Sequence, residues 1–275
     1  MTTIALTGSA SGIGAACAAR LAAQGHGVIG VDQRDADIVA DLGTAAGRQQ
    51  AIDGIAERCG GALDGLVACA GISGAFDRAG GIVVAVNYFG TVELLSGLRP
   101  HLAAGTDAAA VAVSSNSTTT QPGVPVGVID ACLDGDEDRA RVLADEAGSV
   151  AVYPATKIAI ARWVRRNATR PEWAGAGIRL NAVAPGVTWT PMVQALVSDP
   201  AIGKGIEAFP VPLDRAGRPE EIAAVITFLL GPEASFVCGS VVFADGGTDA
   251  LLRPDDWPAP WTNEAARTFF ESLES

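Results

Sequence analysis

The segment TGSASGIG, residues 7–14, determines the fold predicted for this chain of 275 residues. It follows the apolar stretch Ile4–Thr7, which has the length and composition of a short strand. It leads into the alanine-rich stretch Ser11–Gln24, which has the pattern of a helix and is followed by Gly25. A glycine-rich turn between a strand and a helix is the setting of a phosphate-binding loop, so the segment indicates a nucleotide-binding α/β fold.

The three glycines of this loop have separate tasks. Gly8 permits the tight turn, Gly12 lets the backbone approach a phosphate, and Gly14 allows the helix to pack closely on the strand. The free N–H groups and partial positive charge at the start of the helix then favour a pyrophosphate. We therefore predict that a dinucleotide binds at Gly8, Ser11, Gly12, Ile13 and Gly14.

An acidic residue at the end of the second predicted strand bears on the choice of dinucleotide. Asp32 follows Gly14 by 18 positions. A carboxylate there accepts hydrogen bonds from a ribose 2′-hydroxyl and repels a 2′-phosphate, which favours NAD(H) over NADP(H). Arg34 lies close enough to favour the phosphate instead, and Asp32 alone would also suit an ordinary turn.

The rest of the chain alternates between strand-like and helix-like stretches. Further strands are predicted at residues 27–32, 63–70, 108–114, 178–184 and 240–244, and further helices at residues 44–58, 82–98, 152–170 and 219–230. Apolar strands separated by helices indicate a parallel sheet covered on both sides. We predict an α/β fold with one doubly wound parallel sheet, in a single dinucleotide-binding catalytic domain over residues 1–252.

Two segments fall outside the alternation. Residues 121–149 contain the acidic run LDGDEDRARVLADEAG and predict an insertion of one or two helices. Residues 253–275 form a C-terminal extension with two tryptophans and a short helix pattern. We expect the extension to pack as a terminal segment, and its role is left open.

Composition excludes several functional classes. The net charge of −12 argues against binding to nucleic acids or to anionic membranes, and no run of 18 apolar residues predicts a membrane span. The five cysteines lack paired spacing and no secretion signal is apparent, which predicts reduced thiols in a cytoplasmic protein. With only two histidines, neither a metal site nor a Ser-His-Asp triad is predicted.

The stretch YPATK, residues 153–157, contains one of only two tyrosines. Residues four apart lie on the same face of a helix, and Pro154 suits a first helical turn. The spacing therefore predicts Tyr153 at the helix mouth with Lys157 beneath it. A nearby ammonium would favour the phenolate and bring Tyr153 toward the pKa that acid–base catalysis requires. A chance pair of surface residues is the alternative.

The glycine loop and the Tyr-x-x-x-Lys motif together resemble the short-chain dehydrogenase/reductase family, over almost the whole chain up to about residue 252. Further motifs of that family occur in order, namely CAG at 69–71, VNYFG at 86–90, AVSS at 112–115, NAVAPGVTWTP at 181–191, GRPEEIA and DGG. Ala68 and Cys69 stand where the family has two asparagines. The resemblance implies a Rossmann-like fold and oxidoreductase activity with NAD(H) as cofactor.

The resemblance also implies the roles of particular residues. Tyr153 would be the catalytic acid and base, Lys157 would lower its pKa, Ser115 would bind the substrate oxygen, and Asn87 would position a water. Cofactor contacts are implied at Asp41, Leu42, Ala70, Gly71, Pro185, Gly186, Val187 and Thr190, in addition to Tyr153, Lys157, Asp32 and the glycine loop. The apolar side chains expected to cap the substrate are Trp189, Met192 and Phe209, for which core or lid packing is equally expected.

Within the family, the chain is most similar to hydroxysteroid dehydrogenases and carbonyl reductases of the 3-alpha type. The likeness is carried by the stretches VDQRDADIVADL, LDGLVACAG, VNYFG, RLNAVAPG and ADGGTDALLRP, and the 37 residues between Ser115 and Tyr153 also fit it. It implies that the enzyme interconverts a secondary alcohol and a ketone, with a hydroxysteroid or another bulky hydrophobic carbonyl as substrate. The family resemblance also implies a homo-oligomer, either a dimer or a tetramer.

Two other functions are considered. The first is reduction of a 3-ketoacyl thioester or a small non-steroid ketone; NADPH preference would favour the thioester, and Asp32 argues against it. The second is a catalytically silent dinucleotide sensor, which would not need both Tyr153 and Lys157 and is therefore less favoured.

Overall fold

The computed structural model describes residues 2–75, 78–200 and 202–273, and these contain one seven-stranded parallel sheet. The strands are β1 Thr3–Thr7, β2 Gly27–Asp32, β3 Ile38–Val39, β4 Gly65–Ala68, β5 Ala109–Val113, β6 Arg179–Pro185 and β7 Val241–Ala244. Their order across the sheet is β3-β2-β1-β4-β5-β6-β7. The chain winds outward from β1 in one direction and then returns to wind in the other, which confirms the predicted doubly wound parallel sheet.

Helices cover both faces of this sheet. They are α1 Gly12–Ala23, α2 Ala45–Arg58, α3 Gly80–Val84, α4 Gly90–Ala103, α5 Ser117–Thr120, α6 Val126–Asp134, α7 Glu137–Ala147, α8 Ser149–Ala168, α9 Pro191–Val197, α10 Gly203–Glu207, α11 Pro219–Leu230, α12 Thr248–Leu252 and α13 Asn263–Leu273. Short 3₁₀ turns occur at Ala174–Ala176 and Pro232–Ala234, and a π-helical turn occupies Ala85–Phe89.

The alternation of side chains along the strands divides the core into two layers. Ala5 and Leu66 belong to the buried cluster that also contains residues of α2, α4 and α8. Leu6 and Val67 belong to the opposite cluster, which also contains residues of α1 and α11. Both faces of the central strands are therefore buried, as expected for a parallel sheet between two helical layers.

The sheet has its switch point beside β1. Thr7, at the end of β1, is in register with Val31 of β2 on one side and Ala68 of β4 on the other. The connection after β1 leads to β2 on one side, whereas the connection after β4 leads to β5 on the other side. This divergence opens a crevice at the carboxyl ends of β1 and β4. Ligands of open α/β sheets bind in such crevices.

The predicted insertion before Tyr153 forms two helices, α6 and α7, joined by a short turn. Gly135 at the end of α6 has a φ of 77°, a left-handed conformation that stops helices. Asp136 then caps α7, because its side chain accepts a hydrogen bond from the Arg139 N–H at 3.0 Å. The pair packs against α3 and α8, and the Asp145 carboxylate accepts a hydrogen bond from the Gly81 N–H at 2.7 Å.

Helix α3, the π-helical turn and α4 form one continuous helical segment, Gly80–Ala103. By length and composition this segment would be able to cross a membrane. However, 72% of its most apolar window is buried inside the protein, and its Leu94, Leu95 and Leu98 side chains are part of the core. This burial identifies it as a core helix.

The predicted start of the helix that carries the Tyr-x-x-x-Lys motif is wrong. Helix α8 begins at Ser149, so Pro154 lies in its second turn and Tyr153 is not at the helix mouth. Gly148, with a φ of 82°, redirects the chain, and the Ser149 hydroxyl donates a hydrogen bond of 2.6 Å to the Gly74 carbonyl. These contacts begin the helix earlier than predicted. Because Pro154 has no N–H group, the carbonyl of the exposed Val150 lacks its intrahelical hydrogen-bond donor.

The C-terminal part of the chain extends beyond the sheet. Helix α12 ends at Leu252, and α13 follows after ten residues. Trp257 and Trp261 in this connection are 68% and 64% exposed. The extension is therefore a surface segment, whereas its separation from a domain of residues 1–252 stays a prediction.

Candidate active site

A cleft of about 260 Å³ lies at the carboxyl ends of the strands, at the switch point. Its wall includes the predicted residues Gly8, Ser11, Gly12, Ile13, Gly14, Asp32, Leu42, Ala70, Gly71, Ser115, Tyr153, Lys157, Pro185, Gly186, Thr190 and Met192. Residues from the whole length of the sequence thus meet in one place. Asn87, Asp41, Val187, Trp189 and Phe209 are not among the residues that line it.

The glycine loop has the backbone geometry of a phosphate cradle. Gly12 has a φ of 55°, which favours glycine. A Cβ atom on Gly14 would lie 2.0 Å from the Gly8 carbonyl oxygen, so no side chain fits there. The Ser11 side chain makes no capping hydrogen bond to α1. The first N–H groups of α1 therefore face the cleft without a side-chain acceptor, and the loop fits a dinucleotide pyrophosphate.

The Cys-Ala-Gly segment after β4 lies directly beside this loop. The Thr7 hydroxyl oxygen accepts hydrogen bonds from the Cys69 N–H at 3.1 Å and the Ala70 N–H at 3.0 Å. A Cβ atom on Gly8 would approach Ala70 to 3.0 Å. These contacts fix the segment although both asparagines of the family motif are absent. Burial raises the pKa of the Cys69 thiol to about 12, so this thiol is protonated at neutral pH.

Asp32 marks one end of the cleft. Its carboxylate accepts hydrogen bonds from the Ala10 N–H at 3.0 Å and the Gln33 N–H at 2.7 Å. The Gln33 side chain, which also lines the cleft, donates to the Asp41 carboxylate at 3.2 Å. Asp32, Gln33 and Asp41 thus form a polar group suited to a ribose and its base, with Leu42 as an apolar wall.

Ser115, Tyr153 and Lys157 meet at the other end. The Lys157 ammonium lies 5.8 Å from the centroid of the Tyr153 ring and donates a hydrogen bond of 2.9 Å to the Val113 carbonyl. The Ser115 hydroxyl oxygen accepts a hydrogen bond from the Ser117 N–H at 3.1 Å. Helix α8 supplies the tyrosine and lysine from one face, and the turn after β5 supplies the serine.

The electrostatics of this group differ from the expectation that Lys157 lowers the pKa of Tyr153. Burial raises the pKa of the Tyr153 phenol, and its interaction with the Ser115 hydroxyl offsets this only in part. Burial also lowers the pKa of Lys157 to about 8, with a smaller opposing contribution from Cys69. Burial is therefore the largest influence on both pKa values, and the phenol is protonated at neutral pH.

Asn87 is fully buried in the π-helical turn, behind the cleft wall. Its side chain accepts a hydrogen bond from the Ile72 N–H at 2.8 Å and donates one to the Ile72 carbonyl at 3.0 Å. Asn87 Oδ1 and Lys157 Nζ lie 3.3 and 3.5 Å from the position that a Cβ atom on Gly71 would occupy. Both polar groups therefore border the space beside Gly71, a setting consistent with the predicted water-positioning role.

The segment after β6 forms the remaining wall through Pro185, Gly186, Thr190 and Met192. Thr190 also caps α9, because its hydroxyl accepts a hydrogen bond from the Val193 N–H at 3.3 Å. Of the side chains expected to cap the substrate, Met192 lines the cleft. Trp189 is 49% exposed and lies outside the lining, as does the half-buried Phe209.

Several lining residues were not predicted. They are Val31, Gln33, Ala40, Cys69, Ile72, Val86, Val113, Ser114, Thr188, Pro191 and Val193. Most of them lie at or just beyond the carboxyl ends of β2, β3, β4, β5 and β6. A general rule, that the residues following parallel strands face the ligand, would have identified them. Within the described ranges, no group of three or more potential ligands is close enough to hold a metal ion.

Comparison with known proteins finds a matching family model and similar proteins over most of the chain. A family model described as enoyl-(acyl carrier protein) reductase matches residues 8–249. A 3-alpha-hydroxysteroid dehydrogenase/carbonyl reductase of Comamonas testosteroni is 42% identical, over 92% of this chain and 99% of that protein. A cis-4-hydroxycyclohexanecarboxylate dehydrogenase of Sinomonas cyclohexanicum is 32% identical, over 90% of this chain and 96% of that protein.

A solved structure is also similar to almost the whole chain. The crystal structure of the 3-alpha-hydroxysteroid dehydrogenase from Pseudomonas sp. B-0831, complexed with NADH, has a TM-score of 0.89 and 49% sequence identity. The similarity covers 93% of this chain and 100% of that one.

Proposed function

Since the chain belongs to the short-chain dehydrogenase/reductase family, we propose that it is an NAD(H)-dependent oxidoreductase that interconverts a secondary alcohol and a ketone. The observation that carries this proposal is the meeting of Ser115, Tyr153 and Lys157 in the cleft that also contains the glycine loop. A proton-transfer group, a hydrogen-bonding hydroxyl and a dinucleotide cradle in one cleft are the parts that this reaction needs.

In this proposal NAD(H), when bound, carries the hydride that leaves or reaches the substrate carbon. The Tyr153 hydroxyl gives its proton to the carbonyl oxygen during reduction and takes it back during oxidation. The Ser115 hydroxyl donates a hydrogen bond to the same oxygen as negative charge develops on it. Lys157 stabilises the phenolate that remains after proton donation, and Asn87 holds a water that connects Lys157 to solvent.

The raised pKa of Tyr153 agrees with its proposed role as an acid. A protonated phenol is the form needed to reduce a ketone, and burial favours that form at neutral pH. Oxidation of an alcohol needs the phenolate instead. The positive charges of Lys157 and of the oxidised nicotinamide favour it, so both directions are available to one residue.

The proposed substrate is a hydroxysteroid or another bulky hydrophobic carbonyl. Two relatives that align over almost their whole length are named for 3-alpha-hydroxysteroids, and a more distant relative is named for a cyclic alcohol. Ile72, Met192 and Val193 give the cleft apolar walls. A rigid apolar ring system that carries a secondary alcohol fits this combination.

A panel of secondary alcohols tests the proposal. NAD reduction would be followed with 3-alpha- and 3-beta-hydroxysteroids, cyclohexanols and small acyclic alcohols, and with NADP in parallel. We expect selective turnover of a hydroxysteroid with NAD. Turnover of only small alcohols, or of a 3-ketoacyl thioester with NADPH, would contradict the substrate proposal. NADH binding without turnover on any substrate would instead favour a silent sensor.

Asp32 is proposed to determine the preference for NAD. We expect Asp32→Ala to weaken NAD binding about tenfold, because hydrogen bonds from the ribose hydroxyls to a charged acceptor are lost. NADP binding should become stronger, since the repulsion of its 2′-phosphate disappears. Dissociation constants for both cofactors check this, with Asp53→Asn as a control at an exposed carboxylate of α2. An unchanged ratio of the two constants would contradict the assignment.

The homo-oligomer and the cytoplasmic location stay predictions. Support for assembly, as either a dimer or a tetramer, comes from the surface beside β7, the last strand in the sheet order. Phe228 of α11 is 46% exposed, and Phe236, five residues before β7 in the chain, is fully exposed. Exposed aromatic side chains next to a strand edge are typical of protein–protein contacts.

A further inference from the structure

Arg48, in the first turn of α2, has a guanidinium group that is almost completely removed from solvent. The residue is 1% exposed and is among the largest fully buried side chains of the described protein. A buried charge is stable only when it is paired and hydrogen-bonded. The partners of Arg48 therefore show what this charge holds together.

Three separate parts of the chain supply these partners. Arg48 Nε lies 2.6 Å from Glu93 of α4, and Nη2 lies 2.5 Å from Glu137, the first residue of the inserted helix α7. Arg48 Nη1 donates to the Leu42 carbonyl at 3.4 Å. Arg141, one turn further along α7, pairs with Glu137 at 3.2 Å. Two arginines and two glutamates thus form a charge-balanced cluster.

This cluster is connected to the cleft through the turn before α2. Leu42 lines the cleft at its Asp32 end and is itself 6% exposed. Gly47, next to Arg48, packs so tightly that a Cβ atom there would lie 2.0 Å from the Asp41 carbonyl oxygen. The first turn of α2 cannot shift without moving Asp41 and Leu42, because interiors at this packing density transmit displacement.

We propose that Arg48 and Glu137 are positioning residues for the adenosine half of the dinucleotide. The inserted segment supplies Glu137, which holds the Arg48 fork and through it the first turn of α2. That turn sets the Leu42 wall and the Asp41 carboxylate at the Asp32 end of the cleft. The inference rests on the proposed function, because it assigns the adenosine half to that end.

The planar geometry of the guanidinium explains why an arginine is required. A fork with five N–H donors can bind Glu93, Glu137 and the Leu42 carbonyl at once, whereas a lysine ammonium is a compact charge that cannot bridge them in one plane. Loss of one carboxylate leaves the buried charge short of a partner. The fork would then relax toward Glu93 and away from Leu42.

The test compares the two halves of the cofactor. NADH, AMP and nicotinamide mononucleotide would be titrated by calorimetry into the wild-type chain, Glu137→Gln and Arg48→Lys. For both variants we expect the dissociation constants of NADH and AMP to rise about five- to tenfold. Binding of nicotinamide mononucleotide should stay within about twofold, since the Tyr153 end of the cleft is untouched. Thermal unfolding shows that each variant is folded at the titration temperature.

Glu146→Gln is the matched control, because Glu146 is an exposed glutamate on the same helix. It should leave all three constants unchanged. Unchanged AMP binding in folded Glu137→Gln would overturn the inference, as would an equal loss for AMP and nicotinamide mononucleotide, which indicates general loosening. A wild-type chain that does not bind NADH would instead contradict the proposed function itself.

Discussion

Replacement of Tyr153 by phenylalanine is expected to lower kcat roughly 10²–10⁴-fold, the usual contribution of a general acid or base. The change removes one oxygen atom and retains the ring, so the packing of α8 should persist. NADH binding should stay within about threefold of the wild-type value, because the glycine loop and the Asp32 end of the cleft are unaffected. Steady-state kinetics in both directions, together with NADH titration, check both parts.

The chain offers a matched control for this change, since Tyr88 is its only other tyrosine. Tyr88 is 1% exposed in the core and packs edge-on against Phe89, with ring centroids 5.1 Å apart. Tyr88→Phe removes the same atom outside the cleft and should leave kcat nearly unchanged. Full activity in Tyr153→Phe, or equal losses in both variants, would contradict the assignment of Tyr153 as the acid and base.

The parts of this architecture that follow from local rules were predictable. A glycine loop between a strand and a helix, and short apolar strands, depend on neighbours in sequence, and both are present as expected. The family resemblance is confirmed because it rested on several motifs in a fixed order. Asp32 ends β2 beside the loop for the same reason, as the first turn of such a fold fixes where the second strand ends.

Features that depend on contacts between distant residues were not predictable. Helix α8 begins at Ser149 because that residue bonds to Gly74, which is 75 positions away in sequence. Whether Trp189 or Phe209 faces a substrate depends on how the α9–α10 segment lies over the cleft, and no sequence pattern specifies that.

The opposed pKa shifts of Tyr153 and Lys157 were also beyond sequence reasoning. A separation of four residues sets a distance, whereas the pKa depends on how much water surrounds each group. Lys157 is 4% exposed and donates its one described hydrogen bond to a neutral carbonyl. The spacing of four residues therefore predicted that the two side chains lie close together, but not that burial has the largest influence on the pKa of each.

This burial gives Lys157 an opposite effect on stability and on activity. We expect Lys157→Met to lower kcat about 100-fold or more, because the charge that stabilises the phenolate is lost. The same variant should be more stable than the wild type at pH 7. The lowering of the lysine pKa to about 8 corresponds to roughly 3 kcal/mol at about 1.4 kcal/mol per pKa unit. Methionine also loses the hydrogen bond to the Val113 carbonyl, which costs the variant about 1 kcal/mol. The expected net gain in the free energy of unfolding is therefore about 2 kcal/mol.

The pH dependence distinguishes this explanation from a simple packing effect. Between about pH 8 and the ordinary lysine pKa near 10.5, Lys157 is neutral in the folded chain but still binds a proton in the unfolded chain. The unfolded state then holds more protons, so the stability of the wild type rises with pH through this window. Below pH 8 both states are charged and the full cost of burial is present. The advantage of Lys157→Met should therefore be largest below pH 8 and should disappear as the pH approaches 10.5.

Denaturant unfolding at pH 7 and pH 10, without added cofactor, measures this difference. Lys204 is the only other lysine and is exposed, so Lys204→Met is the control and should change neither stability nor kcat. A Lys157→Met chain less stable than the wild type at pH 7, or a stability gain that does not vary with pH, would show that the buried ammonium is not a source of strain. A gain at pH 7 that disappears toward pH 10 would mean that the fold holds this charge against its own stability, as expected where a buried group is retained for catalysis.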